Sequence, residues 1–413
     1  MATGKVDFGL AATDREETQR RVSPLPRPGR KDPDSPCQVE PGEPMRDDNG
    51  PTTTVVMWGG TAMLSFESVE SVSDLKSLEA DWISLQGRAP HTPFQDWAWH
   101  HCWWKNVGES LHQKPFMMTA WDRSTLKLVV PFCISKDGDV LQWSAGEVSD
   151  YCDVLAEKHD SGLVPKAVSR AFSKFPGTRL RMKQTRHDSL AYREVTKIRN
   201  VTSRDDYICP ILYLDRSGKD TPQAGIDRRV LADANRQRRR LGEIGPVTLK
   251  EFTDADAIRS CAGKIIADKK DWLARRGLKN ILCTDPGESF LAEALPHLSS
   301  RGSVHASALQ LDGQPLSSYI SLVHGKRYYY YFGSWDYAWG NYSPGKLHLM
   351  DLISYAAGNG FTEFDMLRGD EEYKKKISTD FVVIHSIETE KKRSRVLVQK
   401  VARKLKSLLG LPR

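Results

Sequence analysis

The chain has 413 residues, enough for two or three domains, and its composition is that of a globular protein with ample material for a core. Its formal net charge of +7 is spread unevenly, so the charge is better interpreted segment by segment. The seven cysteines include no Cys-x-x-Cys pair, which argues against a zinc ribbon or a disulfide scaffold and favours a reducing compartment. No apolar run reaches the roughly 18 to 20 residues needed to span a bilayer, and the N-terminus lacks a signal-peptide pattern, so we expect a cytoplasmic protein.

Residues 1–61 are predicted to be a disordered extension. From Arg21 to Pro51 the sequence is dense in proline, glycine and charge and poor in large apolar side chains. Such a segment cannot bury enough apolar surface to offset the entropy that is lost on ordering. A tether or a partner-binding tail is the functional alternative to a dispensable extension.

Residues 62–215 are predicted to form a first α+β lobe. Met63–Glu70 alternates as a strand does, and the apolar spacing of Val72–Leu85 favours a helix. Thr92–Trp104 holds four tryptophans, which favour a core helix over an aromatic platform for a sugar. The remaining predicted elements of this lobe are strands at 116–121, 126–135, 140–143, 178–184 and 207–214 and a helix at 164–175.

Residues 216–389 are predicted to form a second α+β lobe, reached through the polar linker 215–223. Its order of helices, a three-strand meander and a strand–helix–strand crossover is predicted from periodicity and turn residues. The predicted strands are 247–252, 304–311, 315–324, 327–332 and 361–367, and the predicted helices are 228–244, 255–276, 289–300, 371–377 and one that begins at 344.

The junction between the tyrosine-rich strand and the helix after it is a candidate anion site. Tyr328–Phe332 suit a half-buried strand, Ser343 suits an N-cap, and Pro344 suits the first helical turn. A helix that begins just after a strand points free N–H groups and a partial positive charge outward, to which Lys346 adds a full charge. A phosphate or pyrophosphate is the expected ligand, although most helix starts of this kind bind nothing.

The series GSWD…YSPGKL…FDMLRGDEEYK resembles the C-terminal half of CelD/FemAB-like acyltransferases. These are two-lobed relatives of the GNAT acetyltransferases and include cellulose-biosynthesis-type acetyltransferases. The residues that fit the family pattern are Gly333, Tyr342, Ser343, Pro344, Gly345, Phe364, Asp365, Arg368, Gly369, Asp370, Tyr373 and Lys374. Further similarity in LEADWISLQ, TPFQDWAWHHCWW and DWLARRG extends the resemblance to residues 64–388, whereas the Arg/Gln-x-x-Gly-x-Gly/Ala signature of single-lobe acetyltransferases is absent.

The resemblance implies an α+β fold of two GNAT-like lobes, each a mostly antiparallel mixed sheet flanked by helices. It implies an acyltransferase that moves an acyl group, acetyl first of all, from acetyl-CoA or another acyl-CoA to an amine or hydroxyl, without a metal. An amino sugar or polysaccharide precursor is the implied acceptor, in polysaccharide or cell-envelope biosynthesis. Two alternatives stay open. One is a noncatalytic accessory protein of a membrane-associated polysaccharide machine, and the other is a FemAB-like aminoacyl-tRNA-dependent transferase, for which tRNA is the nucleic-acid partner.

Acyl transfer from a thioester needs a base for the acceptor, a donor to the developing oxyanion and a proton for the departing thiolate. The candidate bases are Asp336, Asp365 and Asp370, with turn-capping or pairing to Arg368 as the structural alternative for the last two. Tyr373 is the candidate proton donor. Coenzyme contacts are expected at Tyr342, Ser343, Gly345, Lys346 and Leu347, and substrate contacts at Asp150, Asp153, Trp335 and Arg368.

Three further features have competing interpretations. Cys152 lies among acidic residues that would raise its thiol pKa, which argues against a nucleophile. The arginine run at 236–240 favours a solvated helix face or an anionic ligand over nucleic acid. Residues 390–413 are predicted to form a basic amphipathic helix, which would either pack on the body or contact the inner face of the membrane.

Overall fold

The computed structural model describes residues 56–57, 63–214 and 225–389, and these form two α+β lobes. The strands are β1 (Val56–Met57), β2 (Met63–Val69), β3 (Lys114–Pro115), β4 (Met117–Asp122), β5 (Thr125–Val130), β6 (Phe132–Ile134), β7 (Val140–Trp143), β8 (Leu155–Ala156), β9 (Arg179–Arg186), β10 (Val201–Tyr213), β11 (Val247–Phe252), β12 (Val304–Leu311), β13 (Gln314–His324), β14 (Arg327–Trp335), β15 (Glu363–Asp365) and β16 (Asp380–Thr389). The α-helices are α1 (Val72–Ser77), α2 (Glu79–Gln86), α3 (Trp97–Trp103), α4 (Leu163–Lys174), α5 (Leu190–Val195), α6 (Arg228–Gly242), α7 (Ala255–Arg276), α8 (Asp285–Ser299), α9 (Pro344–Gly358) and α10 (Glu372–Ile377).

The strands form two sheets. The smaller sheet has the order β1-β2-β4-β5-β8, and the larger has the order β11-β12-β13-β14-β15-β10-β16-β9-β7-β6-β3. Neighbours are antiparallel except for β14 with β15 and β7 with β9, which are parallel. The predicted α+β class with two lobes of mostly antiparallel sheet is therefore observed.

The long strand β10 carries one sheet through both lobes. It pairs with β16 along nearly its whole length, from Val201↔Thr389 to Ile211↔Asp380, and its other edge pairs with β15 from Ile211↔Asp365 to Tyr213↔Glu363. β16 in turn pairs with β9 of the first lobe. β16 was not predicted, although its aromatic and β-branched run at 381–384 suits a strand; only its pairing with β10 and β9, through which the lobes share a sheet, depends on segments far apart in sequence.

Pro131 divides the segment 126–135, which the sequence predicts as one strand. β5 precedes it in the smaller sheet and β6 follows it in the larger sheet. Proline has no backbone N–H to donate to a ladder, so the chain changes sheets at this residue. The single helix predicted at 72–85 is likewise two helices, which meet at Leu78. The short elements β8 and α5 were not predicted.

Some predictions fall on parts of the chain that are not described. Val56–Met57, inside the predicted disordered extension, pairs with β2 at Leu64 and Met63. Residues 1–55 and 58–62, the linker residues 215–224 and the tail 390–413 lie outside the described residues, as does the predicted C-terminal helix. Among the described helices, none is both long and apolar enough to cross a membrane.

The tryptophan-rich helix α3 belongs to the core, as predicted. Trp97, Trp99, Trp103 and the following Trp104 are at most 1% exposed. Trp99 packs edge-on against Phe290 of α8, with 4.9 Å between ring centroids, so α3 ties the first lobe to a helix of the second. Its indole N–H also donates to Ser149 at 2.9 Å. All four indoles belong to one core cluster that also contains residues of the second lobe.

A buried polar contact joins the lobes next to this core. The phenol of Tyr151 donates to the carboxylate of Asp365 in β15, with distances of 2.8 and 3.0 Å to its two oxygens. Arg186 of β9 stands 3.7 Å from the same carboxylate. A buried carboxylate needs such partners, because an unpaired one would carry a large desolvation cost.

We predict that Tyr151→Phe lowers the free energy of unfolding by about 1–3 kcal/mol, because it removes a hydrogen bond to a buried carboxylate while keeping the ring. Denaturant unfolding measures this. Tyr207→Phe is the matched control, since that side chain is 45% exposed and should change stability little. Equal stability of the two variants would contradict the interlobe role of the Tyr151 hydroxyl.

Candidate functional site

A cleft opens where two parallel strands of the larger sheet separate. β14 pairs with β15 over three residues, Arg327–Tyr329 against Glu363–Asp365. Beyond Tyr329, β14 continues beside β13 as far as Trp335. β15 ends at Asp365 and is paired on its other edge with β10. The edge of β14 that faces β15 therefore has no strand partner beyond Tyr329 in the described part of the chain.

The separation has a local cause at the end of β15. The carboxylate of Asp365 accepts a hydrogen bond from the backbone N–H of Leu367 at 2.9 Å, which closes a tight turn. Leu367 takes a positive φ of 57°, a conformation that a leucine rarely adopts, while the N–H groups of Met366 and Gly369 on either side of it still donate to β10. Asp365 is fully buried, and its burial raises its pKa.

The cleft has a volume of about 100 Å³. Its walls come from the free stretch of β14, the segment after β15, helices α7 and α10, and one loop of the first lobe. The polar residues that line it are Glu147, Asp150, Lys269, Asn280, Tyr319, Tyr330, Tyr331, Trp335, Arg368, Glu371, Tyr373 and Lys374. Both lobes thus contribute to one site.

Phenol groups form one wall of the cleft. Tyr319 of β13 and Tyr330 of β14 stack with 4.2 Å between their ring centroids, and Tyr373 of α10 lines the cleft near them. Burial raises the pKa of all three phenols. They consequently stay protonated near neutral pH, as donors and not as bases. Gly333 makes room for this packing, because a Cβ there would stand 2.4 Å from the Tyr319 ring.

The segment after β15 is fixed by Lys374. Its ammonium donates to the carbonyl of Arg368 at 2.8 Å and lies 3.2 Å from the carboxylate of Glu371. Gly369 is required in this loop, because its φ is 137° and a Cβ would stand 2.1 Å from the Glu371 carboxylate. The loop therefore presents the Glu371 carboxylate to the cleft in one defined position.

The first lobe closes one end of the cleft. Asp150 pairs with Arg368 at 3.3 Å, and the phenol of Tyr331 donates to the carbonyl of Val148 at 2.8 Å. Glu147 lines the cleft beside them and accepts from Gln113 at 2.6 Å, and burial raises its pKa. This end therefore carries both signs of charge.

Lys269 of α7 lies on the opposite wall. Its ammonium stands 5.0 Å from the centroid of the Phe332 ring, and in the described residues it has no carboxylate within ion-pair distance. Lys269 is half-buried, and burial lowers the pKa of its ammonium to about 8. A lysine that shares its site with aromatic rings and lacks a counter-ion is costly to keep charged, so a functional role is worth testing.

The start of α9 lies next to the cleft, with Trp335 between them. A Cβ on Gly345 would stand 3.2 Å from the Trp335 indole, so the missing side chain lets that ring pack on the first turn. Lys346 does not project a free charge, since its ammonium lies 2.6 Å from Asp233 of α6. Arg240 of α6 stacks over Tyr342, 4.8 Å from the ring centroid.

The expected cap at Ser343 is different in the structure. Ser343 precedes α9, but its φ of 52° is left-handed and its side chain makes no capping hydrogen bond. Its carbonyl instead accepts from Lys346 at 3.0 Å and Leu347 at 3.2 Å. Leu347 is fully buried in the core, so its side chain offers no contact to a ligand.

The other predicted site residues divide into two groups. Tyr373, Asp150, Arg368 and Trp335 line the cleft. Asp336, Asp365, Asp370 and Asp153 are not among its lining residues. The carboxylate of Asp336 caps a short 3-10 turn, because it accepts a hydrogen bond from the backbone N–H of Ala338 at 2.9 Å. Asp370 is exposed to solvent. Asp153 is held in the first lobe by the backbone N–H groups of Val154, Leu190 and Ala191, and burial raises its pKa to about 6.

Sequence reasoning did not assign roles to Lys269, Glu371, Tyr319 or Tyr330, although all four line the cleft. The patterns around Tyr319 and Tyr330 are equally typical of strands that are buried in the core and of strands that line a site. Lys269 lies in a charged stretch of α7 that reads as a solvated face. Only Glu371 has a sequence feature that points to the site, because it lies between Asp370, the predicted base, and Tyr373, the predicted proton donor.

Residues 228–375 match the family described as the acetyltransferase (GNAT) domain. Among solved structures, the fold is similar to FemX, with 9% identity, a TM-score of 0.51, and coverage of 80% of this chain and 99% of that one. It is also similar to L-PGS from Bacillus licheniformis (13% identity, TM-score 0.47, 75% and 95% coverage) and to a tandem GNAT protein from the clavulanic acid biosynthesis pathway (8% identity, TM-score 0.42, 79% and 99% coverage). No curated protein sequence matches the chain.

We predict that Lys269→Met stabilises the protein at pH 7 by about 1–3 kcal/mol, because the folded state no longer holds an ammonium among aromatic rings. In the unfolded chain the lysine has its ordinary pKa of 10.5, against about 8 when folded. The folded state therefore binds fewer protons between these values, wild-type stability rises with pH there, and the gain from the substitution shrinks. Denaturant unfolding at several pH values measures this.

Lys270→Met is the matched control, because the ammonium of Lys270 lies 2.9 Å from Glu288 outside the cleft. That variant should be no more stable than the wild type. A Lys269→Met protein that is less stable than the wild type, or whose gain is the same at pH 7 and pH 10, would contradict the cost assigned to the Lys269 charge.

Proposed function

We propose that the protein is an acyltransferase that moves an acyl group from a coenzyme A thioester to an amine or hydroxyl acceptor. The observation that carries this proposal is the cleft between the diverging strands β14 and β15, because both strands lie inside the segment that matches the GNAT domain. GNAT domains generally use acyl-CoA as donor. The finer placement among CelD/FemAB-like enzymes rests on the motifs from Gly333 to Lys374.

The free edge of β14 suits the pantetheine arm of the coenzyme. That arm is narrow and carries two amide groups. Beyond Tyr329 the edge of β14 that faces the cleft has lost its strand partner, so its backbone donors and acceptors can pair with those amides as they would with another strand. The aromatic walls at Tyr330 and Phe332 would cover the apolar carbons of the arm.

The diphosphate would lie at the first turn of α9. A helix start attracts anions through its partial positive charge, although here the N–H groups of Lys346 and Leu347 already donate to the Ser343 carbonyl. Lys346 and Arg240 add two cationic side chains near this turn, although Asp233 offsets part of the Lys346 charge. Trp335, which packs on Gly345 and also lines the cleft, makes this turn continuous with the place proposed for the thioester.

The cleft offers a donor and a base for the transfer. The phenol of Tyr373 lines the cleft and is protonated, so it can donate its hydrogen to the departing thiolate. The carboxylate of Glu371 suits the acceptance of a proton from the attacking amine or hydroxyl. Glu371 thus replaces Asp336, Asp365 and Asp370, which do not line the cleft, as the proposed base.

The acceptor would enter from the end that the first lobe closes. Asp150 and Glu147 there can accept hydrogen bonds from an amine or hydroxyls, and Arg368 can donate to an oxygen-rich ligand. An amino sugar or a polysaccharide precursor has these groups. That choice of acceptor, and a setting in envelope biosynthesis, rests on the family resemblance.

We predict that acetyl-CoA binds the full chain with micromolar affinity in calorimetric titration, and that Lys346→Gln weakens binding about tenfold, equivalent to about 1.4 kcal/mol. The loss follows from removing a cation beside the proposed diphosphate position. Arg236→Gln is the matched control, because Arg236 contacts the same Asp233 from α6 without being part of the first turn of α9.

If both substitutions lowered the affinity for acetyl-CoA equally, the diphosphate would not lie at the first turn of α9. No binding of any acyl-CoA would remove the support for a thioester donor and would favour the accessory-protein or aminoacyl-tRNA alternatives.

A further inference from the structure

Lys269 is the residue whose position the proposed reaction leaves unexplained. It reaches from α7 into the wall formed by the unpaired stretch of β14, beside Phe332 and Gly333. It also lines a smaller pocket that shares Gly333 and Trp335 with the cleft. The amine therefore lies on the same wall as Trp335, the ring that packs on Gly345 at the start of α9.

Two other lysines show what distinguishes Lys269. Lys374 also lines the cleft, but its ammonium is held by the Arg368 carbonyl and the Glu371 carboxylate. Lys270, the next residue, pairs with Glu288 outside the cleft. Those partners stabilise the protonated and non-nucleophilic form of both amines. Lys269 has an aromatic ring in place of a carboxylate, so a larger fraction of its amine is neutral near pH 8.

We propose that Lys269 is a self-acylation site: acyl-CoA bound in the cleft between β14 and β15 acylates the amine of Lys269. The amine nitrogen attacks the thioester carbonyl, a C–N bond forms, and the C–S bond breaks. Sulfur leaves with the bonding electron pair, and the proton lost from nitrogen ends on the coenzyme thiol. The products are an Nε-acyl-lysine and free coenzyme A, with no other reactant.

The product would change the cleft. An amide carries no charge, so acylation removes the cost of holding an ammonium beside Phe332. The added acyl group would occupy space in the wall that the thioester uses, and an amide is not a donor for a second transfer. Self-acylation would therefore leave the cleft occupied and lower its affinity for a further acyl-CoA. This inference rests on the proposed use of acyl-CoA.

The test is tandem mass spectrometry of the full chain after incubation with acetyl-CoA at pH 6, 7 and 8. Peptides that contain both Lys269 and Lys270 are sequenced so that the two sites are resolved. We expect acetylation at Lys269 at least tenfold above that at Lys270 and Lys374. The rate should fall about tenfold per pH unit below pH 7, following the neutral fraction of an amine of pKa about 8. A hundredfold excess of free coenzyme A should protect Lys269 and leave surface lysines unchanged.

Calorimetry on the same samples separates the two proposals. Acetyl-CoA that binds without acetylating Lys269 would overturn the self-acylation site and leave the acyltransferase proposal standing. Acetylation of Lys269 no greater than that of Lys270, or unaffected by excess coenzyme A, would show ordinary chemical acetylation and overturn it as well. Absence of binding would overturn both proposals. Lys269→Arg, which keeps a long cationic side chain, should bind acetyl-CoA and show no acetylation in this peptide above that at Lys270.

Discussion

The site depends on the point at which β15 stops. Two parallel strands that stayed paired would leave no space between them, and here the ladder ends after three residue pairs. The Asp365 carboxylate ends it, because it accepts the backbone N–H of Leu367 and holds that residue in a left-handed conformation. Tyr151 and Arg186 of the first lobe hold the carboxylate itself. The opening in the second lobe is thus fixed by contacts from the first, and the shared strand β10 supports both.

The same arrangement explains how charges are distributed around the cleft. Arg368 and Lys374 have carboxylate or carbonyl partners that order the segment after β15, whereas Lys269 on the facing wall has an aromatic ring. The phenols are protonated through burial. The segment after β15 is consequently ordered by ion pairs and hydrogen bonds, and the facing wall carries Lys269, whose ammonium has a lowered pKa. The proposed acyl transfer needs a proton donor and a base, and the residues proposed for these roles, Tyr373 and Glu371, both line the cleft.

Much of the fold could be predicted from the sequence, because periodicity and turn residues are local. The meander β12–β14, the helix that begins at Pro344 and the core position of the α3 tryptophans follow from such patterns. The placement of β16 between β9 and β10 could not be predicted, because it depends on pairing between segments that are far apart in sequence. For the site, the motif around Arg368 and Tyr373 marked the correct segment, but an aspartate in a motif does not reveal whether it faces a cleft or closes a turn. Asp365 closes a turn.

The most direct test of the central claim is hydrogen exchange of the full chain with and without acetyl-CoA, followed by mass spectrometry of peptides. We predict slower exchange in Tyr330–Trp335 and Met366–Tyr373, the two edges of the cleft, and unchanged exchange in β2 and β4 of the smaller sheet. Slower exchange that is confined to other parts of the molecule, with both edges of the cleft unchanged at saturating coenzyme, would contradict it.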